Sequence, residues 1–248
     1  MRWLVGFTAV VLAVPCVSAQ EPDYAAMFAA RSSVGFRDAL ESADARLLEN
    51  GNDGTAAGVR ALVYGNAVDY LAMDPSEARE TKLAALEQAI QLAPENPWTR
   101  AAYGLIHFTD DPLAAERELA TCIDEHPDFI ECYNLYGDHL RKTKRMERAG
   151  NVYLQALQRW PNDGELLVSY ALLLQEMGKE AQALSVLEEL TRSQPRFARG
   201  HWHLAVMVYE SSRDGAVALR EAKLALELDP LIWNGRRFLE MLSDVPTA

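Results

Sequence analysis

Five stretches decide the reading: LEQAIQLAP at 86–94, LATCIDEHP at 119–127, YLQALQRWP at 153–161, LEELTRSQP at 187–195 and AKLALELDP at 222–230. Each is a helical run closed by a proline, and the prolines stand 33, 34, 34 and 35 residues apart. Proline lacks an amide donor and its ring clashes with the preceding turn, so it stops a helix. A fixed period of this length marks a stack of similar units. Helix-start chemistry follows at once. Asn96 precedes Pro97, and Asp128 and Asp163 serve the next two units in the same way. Such side chains accept hydrogen bonds from the first free amides of a helix.

Small residues hold the same register. Gly104, Gly137, Ala171 and Ala205 each lie ten residues after a proline, and Ala115, Ala149, Ala183 and Ala218 each lie twelve before one. Two helices cross closely only where neither presents a large side chain. Tyr103, Tyr136, Tyr170 and Leu204 precede the first set and fill the space beside the crossing. This pattern resembles the tetratricopeptide repeat (TPR) family over about residues 95–230. The resemblance implies an all-α, right-handed superhelical solenoid of stacked helix-turn-helix hairpins. Two departures stand out. Leu190 replaces the later small residue found at Cys122, Ala156 and Ala225, which predicts a splayed third hairpin. The family's early tryptophan is replaced by Arg100, Tyr133, Leu167 and His201.

The organisation expected is a leader at 1–19, an N-terminal helical segment at 20–54, a degenerate hairpin at 55–94, four repeats at 95–230, and a capping helix and tail at 231–248. Thr55 to Met73 and Ser76 to Ala93 read as the two helices of the degenerate hairpin. Asp23 to Asn50 reads as a helix or hairpin broken near Ser32 to Gly35, and Leu231 to Ser243 as a last helix. Terminal units of a stack cover the exposed end of its core.

In TPR proteins the first helix of each hairpin lines a concave wall. Carried onto this sequence, those sites are Trp98, Ala101, Leu105 and Phe108, then Glu131, Asn134, Asp138 and Arg141. Glu165, Val168, Leu172 and Gln175 follow, then Arg199, Trp202, Val206 and Tyr209. Exposed apolar patches of this kind mark interaction sites, and aromatic and arginine anchors carry binding energy. The resemblance therefore implies a groove for a peptide segment or helix of a partner protein. The competing reading is that these aromatics tuck between hairpins as core. Some TPR proteins clamp a chaperone's C-terminal carboxylate with Lys, Asn and Arg. That pattern is absent, since Ala101 and Leu105 hold the matching sites.

The chain of 248 residues is 49% hydrophobic and carries a formal charge of −12. The acid excess argues against nucleic acid and anionic membrane surfaces as partners. No nucleophile elbow, zincin motif, C-x-x-C pair or phosphate loop occurs, so neither an enzyme nor a cofactor is expected. His201 and His203 are two apart, which separates them on a helix, and no metal site is expected. Met1-Arg2, the apolar run Trp3 to Val14, and Val17-Ser18-Ala19 have the layout of a secretory leader. The sequence after it has no Asn-x-Ser/Thr site, which favours a bacterial periplasm over secretion from a eukaryote. Cys122 and Cys132 fall on adjacent helices, and an oxidising compartment would let them bridge. Cys122 also suits a small buried site as a free thiol. The function expected is a non-enzymatic scaffold or adaptor for assembling a cell-envelope complex. The alternative is a permanent structural subunit of a larger envelope, secretion or pilus complex, docking through Ile232, Trp233, Phe238 and Leu242.

Overall fold

The computed structural model describes residues 22–29, 31–212, 214–232 and 234–243. The expected leader and Trp233 lie outside them. Helices α1 (Tyr24–Ala29) and α2 (Ser33–Glu49) form the N-terminal segment. A first hairpin follows, built from α3 (Gly54–Gly65), the single turn α4 (Ala67–Tyr70) and α5 (Pro75–Leu92). Four regular hairpins come next: α6 (Pro97–Ile106) with α7 (Pro112–Glu125), α8 (Ile130–Lys142) with α9 (Met146–Arg159), α10 (Gly164–Glu176) with α11 (Glu180–Ser193), and α12 (Ala198–Ser212) with α13 (Gly215–Leu228). Helix α14 (Gly235–Ser243) packs on α13. The described residues contain no strand.

The proline and cap pattern sets the helix starts. Asn96 Oδ1 accepts from the Trp98 amide at 3.0 Å with Pro97 in the first turn, and Asp163 accepts from the Leu166 amide at 2.9 Å. Such a cap is worth about 1 kcal/mol. Asp128 does not cap: α8 begins after Phe129, and the Asp128 carboxylate pairs with Arg159 at 3.1 Å on the surface.

The small residues sit at the crossings. A Cβ on Gly104 would lie 2.4 Å from Leu119, and one on Gly137 would lie 2.3 Å from the Tyr153 ring. The alanines at the crossings, Ala115, Ala149, Ala171, Ala183, Ala205 and Ala218, are fully buried. Leu190 is buried too, and the Cβ missing from Gly200 leaves it room on α12. The departure is therefore absorbed between successive hairpins.

Three boundaries differ from the sequence reading. The expected helix over 55–73 stops at Gly65, where the Asn66 side chain donates to the Leu62 carbonyl at 2.9 Å; Ala72 then takes a left-handed φ of 53°. The last helix starts at Gly235 rather than Leu231. The Leu231 amide instead donates to Asp229, and Asn234 adopts φ 57°. In the N-terminal segment the break falls at Arg31-Ser32, with Arg31 at φ 43° and Ser32 capping α2. Gly35 lies inside α2, where a Cβ would sit 2.2 Å from the Met27 carbonyl oxygen. That glycine lets α1 fold back onto α2.

Cys122 of α7 and Cys132 of α8 are joined by a disulfide with their Cα atoms 6.1 Å apart, and both are buried. Among the described residues, no helix is long and apolar enough to cross a membrane, and no cluster of three His, Cys, Asp or Glu residues could hold a metal.

Candidate functional site

The inner-wall residues Trp98, Glu131, Glu165 and Arg199 repeat at intervals of 33, 34 and 34 residues, one on the first helix of each hairpin. This ladder is already occupied. Residues 24–29 and 31–36 run along it, from Trp98 in the first full repeat to Asp229 at the end of the fourth. Tyr24 and Phe28, four apart on α1 and so on one face, meet Trp98 with ring centroids 6.1 and 5.1 Å away. Phe129 closes on the same indole at 4.7 Å. Phe28 also packs on Phe36, which stacks on Tyr70 at 4.0 Å with the rings nearly parallel. Arg31 then hydrogen-bonds Glu131, and both are buried. Finally the Ser33 amide and hydroxyl donate to the two carboxylate oxygens of Asp229 at 2.9 and 2.6 Å, across 196 residues of sequence.

Trp98 is thus 8% exposed, and the expectation that it anchors an external ligand is corrected. The chain's own α1 covers it, because burying these aromatic rings on one another removes apolar area from water. Asn134 is also buried at 3% exposure, with its Oδ1 lacking a partner among the described residues. Ala101, Glu131 and Val168 are buried as well, and the other eleven expected groove residues are half-buried. Leu105 lies against the gap left by Gly65. Phe108 contacts His139 at 5.3 Å and carries the Lys142 ammonium 4.9 Å above its ring. Asp138 accepts from the Tyr153 hydroxyl at 2.7 Å and from Arg141 at 3.2 Å, and Arg141 also bonds Glu176. Gln175 donates to Glu210 at 2.9 Å, while Leu172 packs on the α10–α12 core. Trp202 and Tyr209 both meet the edge of Phe238 on α14, at 5.2 and 5.8 Å. Val206 lies on the same helix, one turn beyond Trp202.

Charge along the wall is tightly managed. Burial opposes the charge on Arg199, but Glu165, whose carboxylate is 2.9 Å from its Nε, acts together with Tyr70 and Asp138 to raise its pKa. Burial pushes the Glu131 carboxyl up, and Arg31 opposes that push. Burial raises the Tyr153 hydroxyl well above its ordinary value, with the Asp138 charge adding to it. His203 is pushed down to about 3 by burial and by the charges of Arg199 and Arg141. Sequence reasoning missed residues 24–36 as part of this site. The available signal was short: two aromatics four apart, followed by a lone arginine, just ahead of a cap serine.

No family model matches the chain. A curated TPR repeat-containing protein of Dictyostelium discoideum is 23% identical over 154 residues, which is 58% of this chain and 57% of that protein. The chain therefore spans just over half the length of this relative. Among solved structures, a TPR protein of Parabacteroides merdae superposes with a TM-score of 0.65 at 15% identity, covering 91% of this chain and 86% of its own. A thermophilic TPR protein of Thermus thermophilus gives a TM-score of 0.63 at 17% identity, covering 76% of this chain and all of its own. At these identities the likeness establishes the fold: this is an all-α protein of stacked hairpins with the TPR architecture. Proteins of that architecture generally bind peptides or other proteins.

Proposed function

We propose that the protein is a non-enzymatic scaffold that binds a peptide segment or helix of a partner on its inner wall, and that it serves assembly of a cell-envelope complex. One observation carries this reading. The wall already grips a helical segment, because α1 presses two aromatics onto Trp98 and follows them with an arginine on Glu131. A surface that binds such a segment in cis has the chemistry to bind one in trans. The remaining half-buried surface, including Phe108, Leu172, Trp202, Val206 and Tyr209, is where a partner would dock. Export to a periplasmic or extracellular space is part of the proposal. The leader-like start and the Cys122–Cys132 bridge support it, since disulfides persist in oxidising compartments.

The alternative, a permanent structural subunit, needs an unspent apolar face. Leu242 is buried and Phe238 is engaged by Trp202 and Tyr209, so much of the face assigned to that role is used within the chain. The double variant Phe108→Ala/Trp202→Ala tests the proposal. Capture of the native partner from an envelope extract should fall at least tenfold while circular dichroism keeps the helical signal. Unchanged capture by this variant would remove the groove from the account.

A further inference from the structure

At the far end of the wall lies a cavity of about 210 Å³. Arg31, Tyr70, Arg199, Trp202, His203 and Asp229 line it together with Ile232. Its two guanidiniums come from distant parts of the chain, one on the N-terminal segment and one on α12. Each is held at one nitrogen by a carboxylate: Arg31 by Glu131, and Arg199 by Glu165 at 2.9 Å through Nε. A guanidinium has five N–H donors in a rigid fork. Arg31 is 7% exposed; its Nε is sealed, with no acceptor among the described residues, so the guanidinium can reach the cavity only through its terminal nitrogens. Each guanidinium keeps further N–H donors beyond its one carboxylate partner, and buried donors cost free energy unless something accepts from them. Among the described lining residues the carboxylate is Asp229, and it does not fill this need. Asp229 already accepts from the Ser33 amide, the Ser33 hydroxyl and the Leu231 amide.

We propose that this cavity binds a small free organic acid, with its carboxylate between Arg31 and Arg199 and its carbon body against Trp202, Tyr70 and Ile232. The forked donors match a carboxylate, and the aromatic and aliphatic walls favour a flat or apolar body over a hydrated ion. The volume suits a molecule of benzoate size. The low pKa of His203 agrees with a positive field here. Arg31 lines the cavity, and Ser33 two residues on is tied to Asp229, which lines it too. Because Arg31 belongs to the N-terminal segment, the acid fastens the segment as it binds. Binding to the folded state alone stabilises it. The cavity shares Trp202 with the proposed docking surface but not Phe108, so a Phe108 variant separates the two readings.

Isothermal titration of the purified chain with benzoate, inorganic phosphate and a carboxylate-terminated peptide, each against Arg199→Gln and Arg199→Lys, tests the site. Benzoate should bind, raise Tm and slow proteolysis within residues 22–36. Arg199→Gln should weaken binding by ~10-fold or more, as expected for loss of a charge-assisted pair. Arg199→Lys keeps a cation beside Glu165 and guards against misfolding, and it should also bind less tightly because the fork is lost. Phe108→Ala should bind benzoate as the parent does even where partner capture fails. Absence of benzoate binding to the parent would overturn the proposal. So would phosphate or the peptide binding where benzoate does not, or an affinity unchanged in both Arg199 variants.

Discussion

Trp98 and Trp202 occupy the inner wall of the same solenoid, on the first helices of the first and last regular hairpins. They have different fates. Trp98 is walled in by Tyr24, Phe28 and Phe129 from two other elements and is 8% exposed. Among the described residues Trp202 meets the ring of Phe238, and it lines a cavity that also holds two arginines. A place in the repeat therefore brings a side chain to the wall and does not decide its exposure. The non-repeating segments at the two ends decide that: α1 seals one end, and α14 only brackets the other.

Truncation should separate the two sites most clearly. Trp98→Ala removes a buried indole from a packed aromatic cluster, and such changes cost about 3–5 kcal/mol. Trp202→Ala loses half-buried area only and should cost about 1–2 kcal/mol. Urea unfolding midpoints read the difference. Equal losses at the two positions would break the comparison.

The sealed end is also stapled. The Cys122–Cys132 bridge ties α7 to α8, and both sulfurs lie close to the Pro97 carbonyl, at 3.8 and 3.9 Å, one residue before Trp98. Closing a loop of this size restricts the unfolded chain and is worth about 2–3 kcal/mol. Cys122→Ala/Cys132→Ala should lower stability by that amount, and reductant should then leave the variant's midpoint unmoved. A midpoint equal to that of the oxidised parent would show that packing alone holds this end.

The repeating part of this fold was legible because its signals are local. A proline every 34 residues or so, an Asn or Asp cap, and a small residue at each crossing all act within one hairpin. The structure keeps each helix start within a few residues of those marks. The wall's contents were not legible, because they depend on pairings far apart in sequence. Arg31 finds Glu131 across 100 residues and Ser33 finds Asp229 across 196, with no periodicity to announce either. The register placed Trp98 correctly on the wall, and only the fold-back at Gly35 reveals what covers it. Asp128 misled for a simpler reason: it has the right side chain one residue too early.

The smallest expected effect belongs to the open end. His203 lines the arginine cavity, and burial with the charges of Arg199 and Arg141 lowers its pKa to about 3. In the unfolded chain the ring titrates near its ordinary 6.5. Between those values the unfolded state binds the proton and the folded state does not, so stability falls as pH drops below 6.5. The slope from one such group is at most about 1.4 kcal/mol per pH unit, since the two states differ by at most one bound proton. Carboxylates held below their ordinary range, such as Asp53 and Glu116, lose their contribution only at lower pH. His139 is lowered as well, by burial and Arg145, and remains as a background in the variant. Urea midpoints at about pH 7 and about pH 5, on either side of the ordinary histidine value, should therefore differ less for His203→Gln than for the parent. Identical pH dependence in the two would mean that water or a counter-ion neutralises the arginines at this end, making the Trp202 cavity as electrostatically quiet as the sealed Trp98 cluster.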